Sequence, residues 1–213
     1  MDGHDHIHMP EDHMDELYTS SNPLVRYAHN NRLDTICRFL KGRSGLKVLD
    51  AGCGEGHLIE RLHALSPDNV YTGVDITEVA LERARRRCGF AEFHSMNLES
   101  LQFADESFDA VTNTEVIEHI HEYHAVLAEF ARVLRPGGRL LITFPNEVLW
   151  TVARFLLGRR PIKVPDHVNS FTPGRIRSEV GLKLVRQRNL PFNLPFAFSL
   201  GSLLEFSKSG AAD

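Results

Sequence analysis

The segment NTEVIEHIHEYH, from Asn113 to His124, carries three glutamates and three histidines within twelve residues. Such a density of ionisable groups marks a solvated helix, a catalytic site or a metal site. Glu115, Glu118 and His119 stand at i, i+3 and i+4, so on a helix all three would share one face. They could position a loop or a substrate, and His119 or His121 could serve as a metal-free general base. His121, Glu122 and His124 are expected at the exposed start of the following helix. Which chemistry applies depends on the elements that deliver the segment.

Upstream, NPLVRYAHNNRLDTICRFL places Leu24, Tyr27, Ala28, Ile36, Phe39 and Leu40 at amphipathic helical spacing, and KGRSG ends that helix. LKVLDAG reads as a buried strand, GHLIERLHAL as a helix and VYTGVD as a second strand. TEVALERARRRC reads as a helix with Thr77 in the capping position. AEFHSM, FDAVTN and GRLLITF are further strands, with the helix EYHAVLAEFARVL before the last of them. Strands alternating with helices of this length predict βαβ units, and right-handed crossovers then give a doubly wound, mostly parallel α/β sheet. Ligands of such sheets bind beyond the carboxyl ends of the strands, where the strand order reverses. EVIEHI begins at the end of the fourth strand, so it lies on that rim.

The first strand runs into DAGCGEGH, with Asp50, Gly52, Gly54 and Gly56. Glycines there let a ligand approach the backbone closely, beside the free N–H groups of the next helix. The second strand ends at Asp75, twenty-five residues after Asp50, where an acid can accept from both hydroxyls of a ribose. Together the loop and the strand-end acid predict an adenosine-containing ligand.

The loop is G-x-G-x-G rather than the G-x-G-x-x-G of dinucleotide enzymes. With Asp75 and LRPGGRLLI (Leu134 to Ile142), it resembles the class I S-adenosylmethionine-dependent methyltransferases over roughly residues 46–144. The resemblance implies a Rossmann-like methyltransferase fold with a seven-stranded sheet. It implies S-adenosylmethionine as cofactor, with Gly52, Gly54 and Gly56 along its methionine part, Asp50 orienting the loop and Asp75 on the ribose. Asn97 and Leu98 would stand at the adenine, with Ile76 and Thr114 as further cofactor contacts. Here Asn97 replaces the acid common in the family, and an amide can still accept and donate there. E-x-x-E-H followed by the D-H-x-x-x-F-T of DHVNSFT is similar to two branches: the ubiquinone-type O-methyltransferases and the Hen-type small-RNA 2′-O-methyltransferases. In the latter these positions coordinate a divalent ion, so the resemblance implies Glu115, Glu118, His119 and His167 as a metal set beside the positioning and general-base readings. Such ligands suit Mg, Mn, Fe or Zn without choosing between them.

Between the fifth strand and the C-terminal pair, NEVLWTVARFLLGRRPIKV places Val148, Leu149, Val152, Phe155 and Leu156 on a helix, with Arg154, Arg159, Arg160 and Lys163 near its end. The related quinone enzymes carry a lid here, implying a helical lid at about residues 147–180 over a lipophilic acceptor, with peripheral membrane contact. The remaining arginine cluster, Arg83, Arg85, Arg86 and Arg87, reads as a solvated helix face.

The chain has 213 residues, 42% hydrophobic and 24% charged, which suits one globular domain at 17–213 behind a disordered, His-rich tail at 1–16. The tail holds His4, His6, His8 and His13, a tract that can bind metal. Three scattered cysteines predict no disulfide framework and a cytoplasmic location. A net charge of −4 argues against nucleic acid as partner. The expectation is a methyltransferase acting on a hydroxyl of a small or lipophilic acceptor. An RNA 2′-O-methyltransferase and a non-catalytic cofactor-binding regulator are the alternatives, and the oligomeric state stays open.

Overall fold

The computed structural model describes residues 18–156 and 166–210. The strands are β1 Lys47–Ala51, β2 Val70–Asp75, β3 Glu92–Ser95, β4 Phe108–Thr114, β5 Leu134–Pro145, β6 Lys183–Leu190 and β7 Gly201–Ser207. They form one sheet in the order β3-β2-β1-β4-β5-β7-β6. Neighbours among the first five pair in parallel, and β7 runs antiparallel to both β5 and β6. The helices are α1 Pro23–Leu40, α2 His57–Leu65, α3 Glu78–Arg87, α4 Tyr123–Val133, α5 Glu147–Leu156 and α6 Pro173–Glu179. This is the doubly wound, mostly parallel, methyltransferase-type sheet that the alternation predicts.

Central strands are apolar on both faces because helices cover both. Val48 and Leu49, adjacent in β1, belong to opposite core clusters, as the two-residue period of a strand requires. On one side Leu49, Val111 and Ile142 meet Leu127 and Phe130 of α4. On the other, Val48 and Tyr71 meet Ile36 of α1, Ile59 and Leu62 of α2 and Leu81 of α3. Each such fully buried aliphatic side chain stabilises the fold by roughly 1.5–3 kcal/mol. Cys37, Cys53 and Cys88 are buried free thiols.

Several local expectations are corrected. Asn22 caps α1 by accepting from the amides of Leu24 (3.0 Å) and Val25 (3.5 Å), but Leu24 and Tyr27 remain exposed rather than joining the apolar face. Tyr27 stacks instead on Phe192. Thr77 occupies the cap of α3 without a side-chain bond, and its own amide donates to Asp75 Oδ1 at 2.9 Å. The α3 arginines do form a solvated face, with Arg85 and Arg86 exposed, and ion pairs run along it: Arg83 meets Glu55, Arg85 meets Glu78 and Arg87 meets Glu60. The segment expected as a lid divides: α5 exposes Val148, Val152 and Phe155, whereas Phe171, Ile176 and Val180, in and around α6, are core residues. The sequence gives no periodicity for a helix as short as α6, yet Thr172 caps it and Pro173 opens it. The His-rich tail and Arg159, Arg160 and Lys163 lie outside the described residues.

Candidate active site

The glycine loop follows β1 directly. Gly52 and Cys53 donate their amides to the carbonyl of Val74 at 2.7 and 2.9 Å, so the loop is folded over the end of β2. Gly52 has φ 82°, and a Cβ there would stand 2.5 Å from Val116 of the rim segment, which excludes any side chain. Gly54 has φ 49° and open space where its Cβ would point. Asp75 Oδ2 accepts from the Gly54 amide at 2.9 Å. The acid that holds the loop is therefore Asp75. Asp50 faces the other way, buried, accepting from Thr112 Oγ1 of β4 at 2.7 Å. Burial pushes its carboxyl up to about 7, against the Thr112 hydrogen bond and with a smaller push from Asp75.

Ile76 is exposed at the end of β2, and Asn97 and Leu98 follow β3 on the same rim. Asn97 Oδ1 accepts from the Glu99 amide at 2.9 Å and Leu98 is buried, so here the Asn97 carbonyl is engaged in a local turn. Thr114 ends β4 with a buried hydroxyl that has no hydrogen-bond partner.

The rim segment after β4 is not an α-helix. Glu115 adopts φ 54°, and only Ile117–His119 form a single 3₁₀ turn. This separates the three residues that regular helical spacing would align. Glu115 Oε2 pairs with Arg32 Nη1 at 2.8 Å. Glu118 turns inward, 1% exposed, and neither of its carboxylate oxygens has a hydrogen-bond partner. Burial, reinforced by Glu115, pushes its carboxyl well above the usual range. Its backbone carbonyl accepts from the amides of Val168 and Asn169 at 2.9 and 3.0 Å, which fastens the His167 segment to the rim.

His119 Nδ1 donates to the carbonyl of Asp166 at 2.9 Å. Burial and the neighbouring His167 hold the His119 ring below the ordinary imidazole range. The His119 and His167 rings meet edge to face, 4.7 Å apart. One donor atom from each of Glu118, His119 and His167 lies within 4.8 Å of the others. A buried carboxylate without partners beside two imidazoles fits a divalent cation in donor type and spacing. Glu115, expected in the same set, is outside this cluster and is turned to Arg32.

Arg32 was missed in the sequence. It is buried, and its Nη2 meets His29 Nδ1 at 3.1 Å. A signal existed: Arg32 falls on the buried stripe with His29, Leu33, Ile36 and Leu40, where a cation needs a partner. His29, Arg32 and Glu115 line a pocket whose walls include Trp150, Leu190 and Leu200.

Comparisons with known proteins agree with this geometry. A family model described as a methyltransferase domain matches residues 49–142. The chain is 34% identical over 111 residues to a probable S-adenosylmethionine-dependent methyltransferase of Mycolicibacterium smegmatis, covering 52% of this chain and 42% of that relative. It is 30% identical over 176 residues to the ubiquinone biosynthesis O-methyltransferase of Alkalilimnicola ehrlichii, covering 76% of this chain and 70% of the relative. It thus spans less than half of the first relative and over two thirds of the second. The fold matches that of magnesium protoporphyrin IX methyltransferase from Synechocystis with TM-score 0.71, at 21% identity over 93% of this chain and 94% of that one. On the glycine loop, the strand-end Asp75, the sheet order and these relatives together, the chain belongs to the class I S-adenosylmethionine-dependent methyltransferases.

Proposed function

We propose that the protein transfers the methyl group of S-adenosylmethionine to a hydroxyl oxygen of a small lipophilic acceptor. The sulfonium supplies an electrophilic methyl: the S–CH3 bond breaks with its electron pair left on sulfur, giving S-adenosylhomocysteine, an O–CH3 bond forms, and the hydroxyl proton is released to solvent. Gly52, Gly54 and Gly56 would pass along the methionine part, with Asp75 and Ile76 at the ribose and Asn97 and Leu98 at the adenine. The Arg32–Glu115 pair offers opposite charges to the carboxylate and ammonium of the methionine end. Thr114 and the buried Asp50 support this floor from β4 and β1.

The oxygen assignment is carried by one observation, the two partnerless buried oxygens of Glu118 beside His119 and His167. Those three residues would hold a divalent ion, which when bound lowers the pKa of a coordinated hydroxyl and orients its oxygen. Burial lowers the proton affinity of the His119 ring, which favours an unprotonated nitrogen for the ion. Ubiquinone-type relatives, named as O-methyltransferases, support the same oxygen chemistry.

A lipophilic acceptor is supported by the exposed apolar stripe Val148, Val152 and Phe155 at i, i+4 and i+7 on α5, with Phe192 and Phe198 also exposed. No helix among the described residues is long and apolar enough to cross a membrane; the reading adds a peripheral membrane contact through this stripe, with the protein in the cytoplasm. The test is to incubate the protein with methyl-labelled S-adenosylmethionine and a cell extract, then partition the products between organic and aqueous phases. Label in the organic phase that disappears with chelator and returns with added divalent metal supports the reading. Organic label indifferent to chelator removes the metal, and label confined to the aqueous phase removes the lipophilic acceptor.

A further inference from the structure

We infer that Glu147 is a positioning residue that fixes His167 as a metal ligand. The inference rests on the metal reading of Glu118, His119 and His167, and adds a residue that neither the glycine loop nor the E-x-x-E-H segment contains. His167 Nδ1 and Glu147 Oε1 are 2.5 Å apart, with side chains only 14% and 17% exposed. A carboxylate can only accept, so Nδ1 carries the proton of this contact, and in the neutral ring the lone pair is then on Nε2. His119 meets the same condition by a different route, since the Asp166 carbonyl also only accepts. In their neutral form both rings are therefore the same tautomer, with the lone pair on Nε2.

A metal-binding imidazole needs an unprotonated nitrogen and a fixed ring plane, and a carboxylate on its other nitrogen supplies both while raising ligand basicity. Glu147 is itself held in place. It opens α5 directly after β5, beside the buried Asn146, whose Nδ2 donates to the Phe196 carbonyl at 2.7 Å and whose Oδ1 accepts from the Leu149 amide at 3.3 Å. An acid in the first turn of a helix is also favoured by the helix dipole. That bland role would affect folding stability alone.

The test separates the two roles. The full chain, stripped with chelator, is titrated with Co2+ by calorimetry and by visible absorption, alongside Glu147→Ala, Glu147→Gln and His119→Ala. The signal lost in His119→Ala belongs to the cluster rather than to the N-terminal histidines. Glu147→Ala is expected to weaken that signal's affinity roughly 10–100-fold, the usual effect of losing such a partner. Glu147→Gln keeps an accepting oxygen without the charge and is expected to fall between. Unchanged cluster affinity in both Glu147 variants overturns the inference and leaves the metal reading standing. A wild-type chain with no Co2+ signal sensitive to His119→Ala overturns the metal reading and the inference with it.

Discussion

Asp75 Oδ2 accepts from the amide of Gly54 at 2.9 Å, so the acid at the end of the second strand holds the glycine loop that follows the first. Asp75→Asn keeps the shape but removes the charge that the loop amide uses and that the proposed reading assigns to a ribose diol. A charge-assisted hydrogen bond contributes about 1.5–3 kcal/mol. Affinity for S-adenosylhomocysteine, measured by calorimetry, is expected to fall roughly 10–100-fold. Unchanged affinity would remove Asp75 from the cofactor site.

The Arg32–Glu115 pair is poorly exposed, with side chains at 10% and 21%. Removing one partner of a buried pair leaves the other charge uncompensated, at a cost of about 3 kcal/mol. Arg32→Met is therefore expected to lower stability in denaturant unfolding by about that amount, and Arg32→Met with Glu115→Leu to recover most of it. Both variants should lose cofactor affinity. Recovery of affinity in the double variant would show that the pair is only structural.

Asp50 binds its proton more tightly in the folded chain, at about 7, than at its ordinary value of 3.8. Between those values the folded state holds more proton than the unfolded chain, so stability falls as pH rises from near 4 to near 7 and levels above it. Asp50→Asn should flatten this part of the stability–pH profile in thermal unfolding. A slope identical to wild type would place the titration elsewhere.

The α5 stripe is already in solvent, so Val148→Ser or Phe155→Ser should change stability by no more than about 0.5 kcal/mol. Once a lipophilic product is in hand, Phe155→Ser is expected to raise KM for its precursor roughly tenfold, equivalent to ~1.4 kcal/mol. An unchanged KM would mean that the stripe does not meet the acceptor.

What the sequence made legible was local. VYTGVD becomes β2 residue for residue because an apolar run between turn signals is buried on both faces. The glycine loop and Asp75 are readable because their spacing follows from the βαβ unit. Illegible were the contacts made by packing across the fold: Arg32 arrives at Glu115 from a helix more than eighty residues earlier, and Glu147 reaches His167 from across the β5–α5 junction. The E-x-x-E-H spacing misled, because Glu115 takes a left-handed conformation and the turn after it is 3₁₀. Glu118 and His119 stay together through that turn while Glu115 is diverted.

Methyl transfer itself is tested most directly by mass spectrometry of an extract incubated with the protein and S-adenosylmethionine bearing a trideuteromethyl group. The account predicts an organic-phase product in which one hydroxyl hydrogen is replaced by the labelled methyl, reduced with Asp75→Asn and absent with chelator. No labelled product in either phase, from protein that binds S-adenosylhomocysteine normally, would contradict it.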